Sequence, residues 1–350
     1  MCSTRYPISP APGPSIPGVP KKSKKVDIMK EKNKPFAILT VLLILVSIVW
    51  IVSAGNLGFF NQETDTFQEI YSIVNGTDLH VKGKNGDVSI VVWDEENIEV
   101  VAQKITLFGE DELEKVKIKV TNRTDFLVET DYIDWFAWVS VDFEIRIPVN
   151  VTVSEVKTNN GGIKLTGTRG TLSATTSNGE ISIRDHSGDI IMESSNGELY
   201  ANAVRGNVDG ETSNGPITFK YVNGTATART SNGRINVDHT KIVRKLITSN
   251  DPISANFHNI SSMGTVIQTS NGHVKVWIPD NLDARLKIET SNGDIDTHIT
   301  IDISDVSEDE FVGTLGNGGP QLSIKTSNGG IELTGIDYIN TEEKPWEVVN

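Results

Sequence analysis

The chain has 350 residues, 46 of them acidic and 32 basic, which gives a formal net charge of −14. A chain this acidic is repelled by phosphate backbones, so nucleic acid is excluded as a partner. The single cysteine, Cys2, excludes an internal disulfide framework, and the fold must be held by packing and hydrogen bonds.

Residues 1–35 are predicted to be a disordered cytoplasmic tail. Prolines recur through residues 7–20, and seven lysines follow between Lys21 and Lys34. Proline-rich sequence and clustered like charges do not build a packed core. Cys2 lies in this tail and is expected to be an inert thiol, with acylation as the alternative.

Residues 36–54 are predicted to be a single transmembrane helix, because this segment is apolar, uncharged and long enough to span a bilayer. The lysines before it place the N-terminus in the cytoplasm by the positive-inside rule. Residues 1–54 carry a net charge of +6 and the rest of the chain −20. The acidic part is therefore expected outside the cell membrane, after a linker at residues 55–65.

Residues 66–155 are predicted to be a β-rich cap. Apolar residues alternate in short segments here, as in half-buried strands. A stack of repeats needs an atypical unit of this kind to cover its open end. The segment around Asn85, residues 84–88, resembles an early, isolated copy of the repeat motif described next. Trp135, Phe136 and Trp138 are expected to pack within the cap, with a ligand platform or a membrane contact as the alternatives.

Residues 156–340 carry a Thr-Ser-Asn-Gly motif, or a close variant, at a nearly fixed interval, and residues 341–350 are left as a C-terminal tail. The first six asparagines are spaced by 18 residues, the next two steps are 21, and the last is 36. Units this short cannot bury an apolar face alone and must stack on their neighbours. The motif asparagines are Asn160, Asn178, Asn196, Asn214, Asn232, Asn250, Asn271, Asn292 and Asn328.

Each unit is predicted to be a coil of two strands and two corners. After Asn178, the residues Ile181 and Ile183 alternate as in a strand, and Gly188 marks a second corner. Counting by twos places the threonine and the asparagine of the motif on the inward face, with the asparagine in the left-handed backbone conformation. Stacked about 4.8 Å apart, the asparagines are expected to form a structural hydrogen-bonded ladder rather than to ligate a metal or a sugar.

The strict register therefore predicts an all-β fold: a β-solenoid of 18-residue coils with a β-rich N-terminal cap, preceded by one transmembrane helix. The alternative is a string of hairpins with Asn-Gly turns, which would give an antiparallel sandwich. A hairpin array has no reason to keep the register. The six-residue subperiod of hexapeptide helices is absent from the sequence.

A longer run also carries information about the family. Residues 143–153 alternate apolar and polar side chains and lead into the first motif at 158–161, followed by the Thr-Ser-Asn-Gly-x-Ile copies. This combination resembles a family of prokaryotic surface proteins known as putative adhesins, over roughly residues 70–335. The resemblance implies a fold of β-strand repeats and a role at the cell surface. It implies no particular functional residue.

No catalytic, cofactor-binding or metal site is predicted. The six histidines share no repeat position and no metal-ligand spacing. The enzyme alternative is a polysaccharide-acting β-helix, for which Arg184, Asp185 and Arg205 are the candidates. Acidic residues that follow the corners are expected to form a solvated face, with weak calcium binding as the alternative. They are Asp87, Glu180, Glu198 and Asp294.

The hypothesis for function is a membrane-anchored adhesion or binding module that catalyses no reaction. Its partner would be an extracellular surface component or an envelope glycan or protein. The alternatives are an envelope structural or signalling partner, and the polysaccharide-acting enzyme. A contact stripe is predicted at Ser182, Tyr200, Thr218 and Asn236. Possible glycosylation sites, all after the predicted span, are Asn75, Asn122, Asn150, Asn223 and Asn259.

Overall fold

The computed structural model describes residues 62–307 and 309–337. The predicted cytoplasmic tail, the predicted transmembrane helix and the C-terminal tail lie outside these residues, as does most of the predicted linker. Within the described ranges, no helix is long and apolar enough to cross a membrane. The single helical element there is a short 3₁₀ helix, Glu110–Lys115, and the rest of the regular structure is β-strand. The predicted all-β class is confirmed.

The strands follow one another with short connections. Before the first 18-residue repeat they are β1 (Glu63–Ser72), β2 (Asp78–Lys82), β3 (Val88–Trp93), β4 (Asn97–Thr106), β5 (Val116–Thr121), β6 (Asp125–Tyr132) and β7 (Ser140–Pro148). The repeats supply β8 (Thr152–Lys157), β9 (Ile163–Thr166), β10 (Leu172–Thr175), β11 (Ile181–Ser187), β12 (Ile190–Ser194), β13 (Leu199–Arg205), β14 (Val208–Thr212), β15 (Ile217–Val222), β16 (Thr225–Arg229), β17 (Ile235–Ile247), β18 (Ile253–Ile260), β19 (Thr265–Gln268) and β20 (Val274–Pro279). The last strands are β21 (Ala284–Asn292), β22 (Ile295–His298), β23 (Asp302–Val306), β24 (Glu310–Leu315), β25 (Gln321–Asn328) and β26 (Ile331–Ile336).

The repeats stack into a solenoid with two parallel sheets. Strands that precede a motif form the first sheet, and strands that follow a motif form the second sheet. Strand β17 contributes residues 235–238 to the second sheet and residues 242–247 to the first. The spatial order of the first sheet is β5-β6-β2-β8-β10-β12-β14-β16-β17-β19-β25-β21-β24-β23. That of the second is β1-β4-β7-β3-β9-β11-β13-β15-β17-β18-β20-β26-β22. The predicted repeat solenoid is confirmed, since the repeats pair in parallel and not as hairpins.

The solenoid begins earlier in the sequence than residue 156. Strands β2 and β3 pair in parallel with β8 and β9, and β6 and β7 pair in parallel with β2 and β3. Both pairs are therefore coils of the stack. The antiparallel strands β1, β4 and β5 cover this end. Residues 94–151, which include β6 and β7, separate β3 from β8 in the sequence, so sequence spacing alone could not place the β2–β3 coil against β8 and β9.

The coils at the C-terminal end do not stack in chain order. Strands β25 and β26 lie directly on β19 and β20, and the earlier coil of β21 and β22 lies outside them. Residues between these two coils form β23 and β24, which extend the first sheet in antiparallel fashion beyond β21. The 36-residue step in the motif is explained by this excursion. It also moves Asn328 away from the end of the stack.

The core lies between the two sheets. Each 18-residue coil also has a third bend, in addition to the two predicted corners, and the core extends to the inner side of that bend. In the coil of β11 and β12 the buried side chains are Ile181, Ile183, His186, Ile190 and Met192. The bend recurs every 18 residues just before the buried position that His186 occupies. The residues at the bend have positive φ in successive coils: Gly167 (76°), Asp185 (54°), Ala203 (57°), Tyr221 (52°) and His239 (50°). The left-handed conformation belongs to this column, so its assignment to the motif asparagines was wrong.

Candidate binding surface

The motif asparagines form one continuous hydrogen-bonded column. Each side-chain amide donates to the side-chain carbonyl of the adjacent coil, with Nδ2–Oδ1 distances from 2.7 Å (Asn160 to Asn85) to 3.0 Å (Asn271 to Asn250). Asn85 extends the column by one coil beyond the nine predicted residues. The order along the stack is Asn85, Asn160, Asn178, Asn196, Asn214, Asn232, Asn250, Asn271, Asn328 and Asn292.

The asparagines face outward, which corrects the predicted inward orientation. Asn178 and Asn196 are exposed, whereas Thr176 and Thr212 are buried. The alternation of the preceding strand runs as far as the threonine, and the corner then turns the next two side chains toward solvent. The buried ladder is therefore made by the threonines, or by a serine in one coil. Each hydroxyl donates to a backbone carbonyl of the adjacent corner, as Thr212 Oγ1 does to Gly197 O at 3.1 Å. The other members are Thr158, Thr176, Ser194, Thr230, Thr248, Thr269, Thr290 and Thr326.

We expect Thr212→Val to destabilise the stack by about 1–3 kcal/mol, because it removes the buried hydroxyl that donates to the Gly197 carbonyl without changing the side-chain shape. Asn214→Ala, in the same corner but on the exposed column, should cost less, about 1 kcal/mol, since water replaces the lost partners. Urea unfolding of residues 60–350, which form one compact unit, measures both. Equal losses for the two variants would contradict the assignment of the buried ladder to threonine.

The stack order makes a separate prediction for two asparagines. Asn328 accepts from Asn292 at 2.9 Å and donates to Asn271 at 2.8 Å, whereas Asn292 stands at the end of the column. Asn328→Ala should therefore lower the unfolding midpoint more than Asn292→Ala does, because it breaks two side-chain hydrogen bonds of the column and Asn292→Ala breaks one. The reverse ranking would show that chain order, and not the observed stacking, sets the ladder.

The predicted contact stripe lies in one column on the outer face of the second sheet. Ser182, Tyr200, Thr218 and Asn236 are in register in successive coils. Ser182 is buried, and the other three are half-buried. The next outward column holds Arg184, whose guanidinium lies 4.5 Å from the centre of the Tyr200 ring. It continues with Asn202, Lys220 and Asp238.

The same face has two shallow depressions with charges of both signs. One, of about 370 Å³, is lined by Asp87, Lys164, Glu180 and Arg184 around Ser182. The other, of about 380 Å³, lies farther along the stack. Its polar lining is His273, Lys275, Asp294, Asp296 and Glu332. A shallow surface with charges of both signs suits contact with a polar polymer or a protein surface.

The acidic residues proposed as calcium candidates do not converge. Glu180 and Glu198 are close, and burial together with the charge of Glu180 raises the pKa of Glu198. The Asp87 carboxylate accepts from the backbone N–H of Gly162 at 2.7 Å, and Asp294 follows the corner at the far end of the ladder. In the part of the chain that the structure describes, no three His, Cys, Asp or Glu residues lie close enough to hold a metal ion.

The residues considered for catalysis have structural contacts. Arg184 stacks on Tyr200, Asp185 occupies the left-handed bend, and Arg205 is in register with Ser187. His186 Nε2 donates to Gly170 O at 2.9 Å, which leaves Nδ1 to accept from the Thr168 hydroxyl at 2.9 Å. Burial lowers the pKa of His186, so the ring stays neutral.

Two further sets of residues are exposed. All five sequon asparagines are accessible, and two of them, Asn75 and Asn150, line an open cleft of about 810 Å³ at the N-terminal end. Trp135, Phe136 and Trp138 are also exposed, so the expectation that they pack within the cap was wrong. The reason is that residues 133–139 form a loop between β6 and β7 and not a strand with one face toward the core.

Fold and surface together define an all-β solenoid repeat domain with an open outer face. The model of the Toastrack DUF4097 family matches residues 186–334. That part of the chain is similar to Toastrack DUF4097 domains, and the resemblance read from the motif copies is confirmed.

Two solved structures that match much of this chain have little sequence in common with it. A putative cell adhesion protein from Clostridium sporogenes is 12% identical, with a TM-score of 0.21, over 78% of this chain and 100% of that one. A putative adhesin from Bacteroides fragilis is 12% identical, with a TM-score of 0.38, over 77% of this chain and 97% of that one. No match was found among curated proteins.

Proposed function

We propose that the protein is a membrane-anchored surface module that binds an extracellular component, with adhesion as its role and no catalysis. The outer face of the second sheet carries the proposal. Its backbone is fixed by the threonine and asparagine ladders, while its outward side chains change from coil to coil, from Arg184 and Tyr200 to Thr218 and Lys220. A rigid surface with varied groups is suited to recognition, because little conformational freedom is lost on binding.

Anchoring by residues 36–54 supports this role, because many copies held on one cell gain avidity even when each contact is weak. The proposed topology places the N-terminus inside and the solenoid outside. Protease added to intact cells should then remove the repeats and spare the first thirty or so residues. Protection of the repeats with digestion of the N-terminus would reverse the topology.

The binding face is tested by substitutions that the repeat itself offers. Arg184→Asn, Tyr200→Thr and Lys220→Asn introduce residues that neighbouring coils carry at the same register, namely Asn202 and Thr218. The combined variant should keep its unfolding midpoint and lose attachment of expressing cells to surfaces and to one another, roughly tenfold where avidity amplifies weak contacts.

The matched control changes the outer face of the first sheet in the same way. Glu193→Thr copies Thr175, and Asp209→Thr copies Thr227. This control should leave attachment unchanged. Equal attachment by cells with the second-sheet variant, with the control and without the protein would reject adhesion. Release of oligosaccharides from a polysaccharide by purified residues 60–350 would reject the absence of catalysis.

A further inference from the structure

An exposed apolar patch lies on the N-terminal end of the solenoid. Six large side chains, Leu107, Phe108, Ile133, Trp135, Phe136 and Trp138, are each between 47% and 74% exposed. We call them the cap patch. Large apolar side chains gathered at one place on a surface mark a contact site more often than isolated ones do.

The cap patch is built from two loops that contact each other. The Thr106 hydroxyl donates to Trp138 O at 2.8 Å, and the rings of Phe108 and Trp138 are 5.4 Å apart. The rings of Trp135 and Phe136 also lie against each other. The loop at residues 133–139 is also tied to the 3₁₀ helix, since the backbone N–H of Trp138 donates to Glu112 Oε2 at 3.1 Å. The aromatic rings are therefore presented by a fixed backbone.

The described chain begins next to this patch. Glu63, the first residue of β1, pairs with Thr106, which immediately precedes Leu107 and Phe108. Nine residues separate Glu63 from Ser53 in the apolar segment. At about 3.3–3.6 Å per residue, the chain between them reaches roughly 35 Å at most. A bilayer that holds the apolar segment is thus within reach of the cap patch.

The chemistry of the patch and its surroundings points to one kind of membrane surface. Tryptophan concentrates in the headgroup region of bilayers, where the ring is apolar and the indole N–H is hydrated. The flanking side chains are mainly acidic, with Glu110, Asp111, Glu112 and Asp134 set against Lys115. Carboxylates are repelled by anionic lipid, so a zwitterionic surface fits better.

We propose that the cap patch lies in the headgroup region of a zwitterionic bilayer and holds the N-terminal end of the solenoid against the membrane. The inference rests on the membrane anchoring proposed above. The cap patch is then a second attachment of the solenoid to the bilayer, besides its chain connection to residues 36–54. It also sets which end of the solenoid faces the lipid.

The test uses the full chain in phosphatidylcholine vesicles with and without brominated acyl chains, which quench nearby tryptophan. A Trp50→Phe background removes the tryptophan of the predicted span. Adding Trp135→Phe and Trp138→Phe should lower bromolipid-dependent quenching about twofold or more, because interfacial rings lie near the acyl chains. Adding Trp277→Phe, on the outer face of the second sheet, is the matched control and should not lower it. Partial replacement of phosphatidylcholine by an anionic lipid at low salt should also reduce the patch-dependent quenching.

The outcomes separate this proposal from the one it rests on. A chain that alkaline carbonate strips from the vesicles has no transmembrane anchor, and both proposals fail. A chain that stays in the vesicles while quenching is equal in all three backgrounds keeps the anchor and overturns the membrane contact. Cross-linked dimers that Trp135→Ser and Trp138→Ser abolish, without patch-dependent quenching, would assign the cap patch to a second copy of the chain and overturn the proposal as well.

Discussion

Gly197→Ala should destabilise the solenoid by about 3 kcal/mol or more, or prevent its folding, because the added methyl group has no space. A Cβ at this position would lie 1.8 Å from the carbonyl oxygen of Gly179 in the adjacent coil. That oxygen belongs to the backbone, so the conflict is relieved only if two coils move apart. Neighbouring corners are equally tight, with 2.0 Å at Gly215 and 1.9 Å at Gly233.

Urea unfolding of residues 60–350 measures the loss, and Gly83→Ala is the control. Gly83 also precedes a corner, but its added Cβ would meet its nearest neighbour at an ordinary 3.5 Å. The free energy of unfolding of Gly83→Ala should stay within about 0.5 kcal/mol of the parent value, as for a substitution that makes no new contact. Comparable losses for the two variants would show that backbone flexibility, and not coil spacing, explains the glycine of the motif.

Phe219→Ala should cost about 3–5 kcal/mol, the range for removing a buried aromatic side chain and leaving a cavity. Phe219 is fully buried on the second sheet. A Cβ on Gly210, in the first sheet, would lie 2.7 Å from the tip of its ring. The ring therefore fills the space that glycine leaves open across the core.

This complementarity predicts coupling between the two positions. Gly210→Ala alone should cost about 1–3 kcal/mol by overpacking. Combined with Phe219→Leu, which shortens the side chain, the same alanine should cost clearly less, and the double-mutant cycle should give a coupling of about 0.5 kcal/mol or more. Strict additivity in urea unfolding would mean that the two side chains do not share this space.

The sequence by itself determined the parallel stacking of the repeats. An interval of 18 residues, with Ile181 and Ile183 alternating after the corner, repeats the same local structure in each coil. Identical units must then stack in register to bury their apolar faces. The alignment of the nine motif asparagines in one column followed from this interval, and so did the register of Tyr200 with Thr218.

Tertiary structure decided what the 18-residue interval does not describe. The outward turn of Asn178 after the buried Thr176 is set by corner geometry, which alternation along a strand does not describe. The place of Asn328 between Asn271 and Asn292 depends on which coil covers the end of the core. The exposure of Trp135 depends on a loop that no repeat constrains. The interval determines which residues become neighbours in adjacent coils. The ends of the stack and the loops depend instead on which segments of the whole chain bury apolar surface and satisfy hydrogen bonds there.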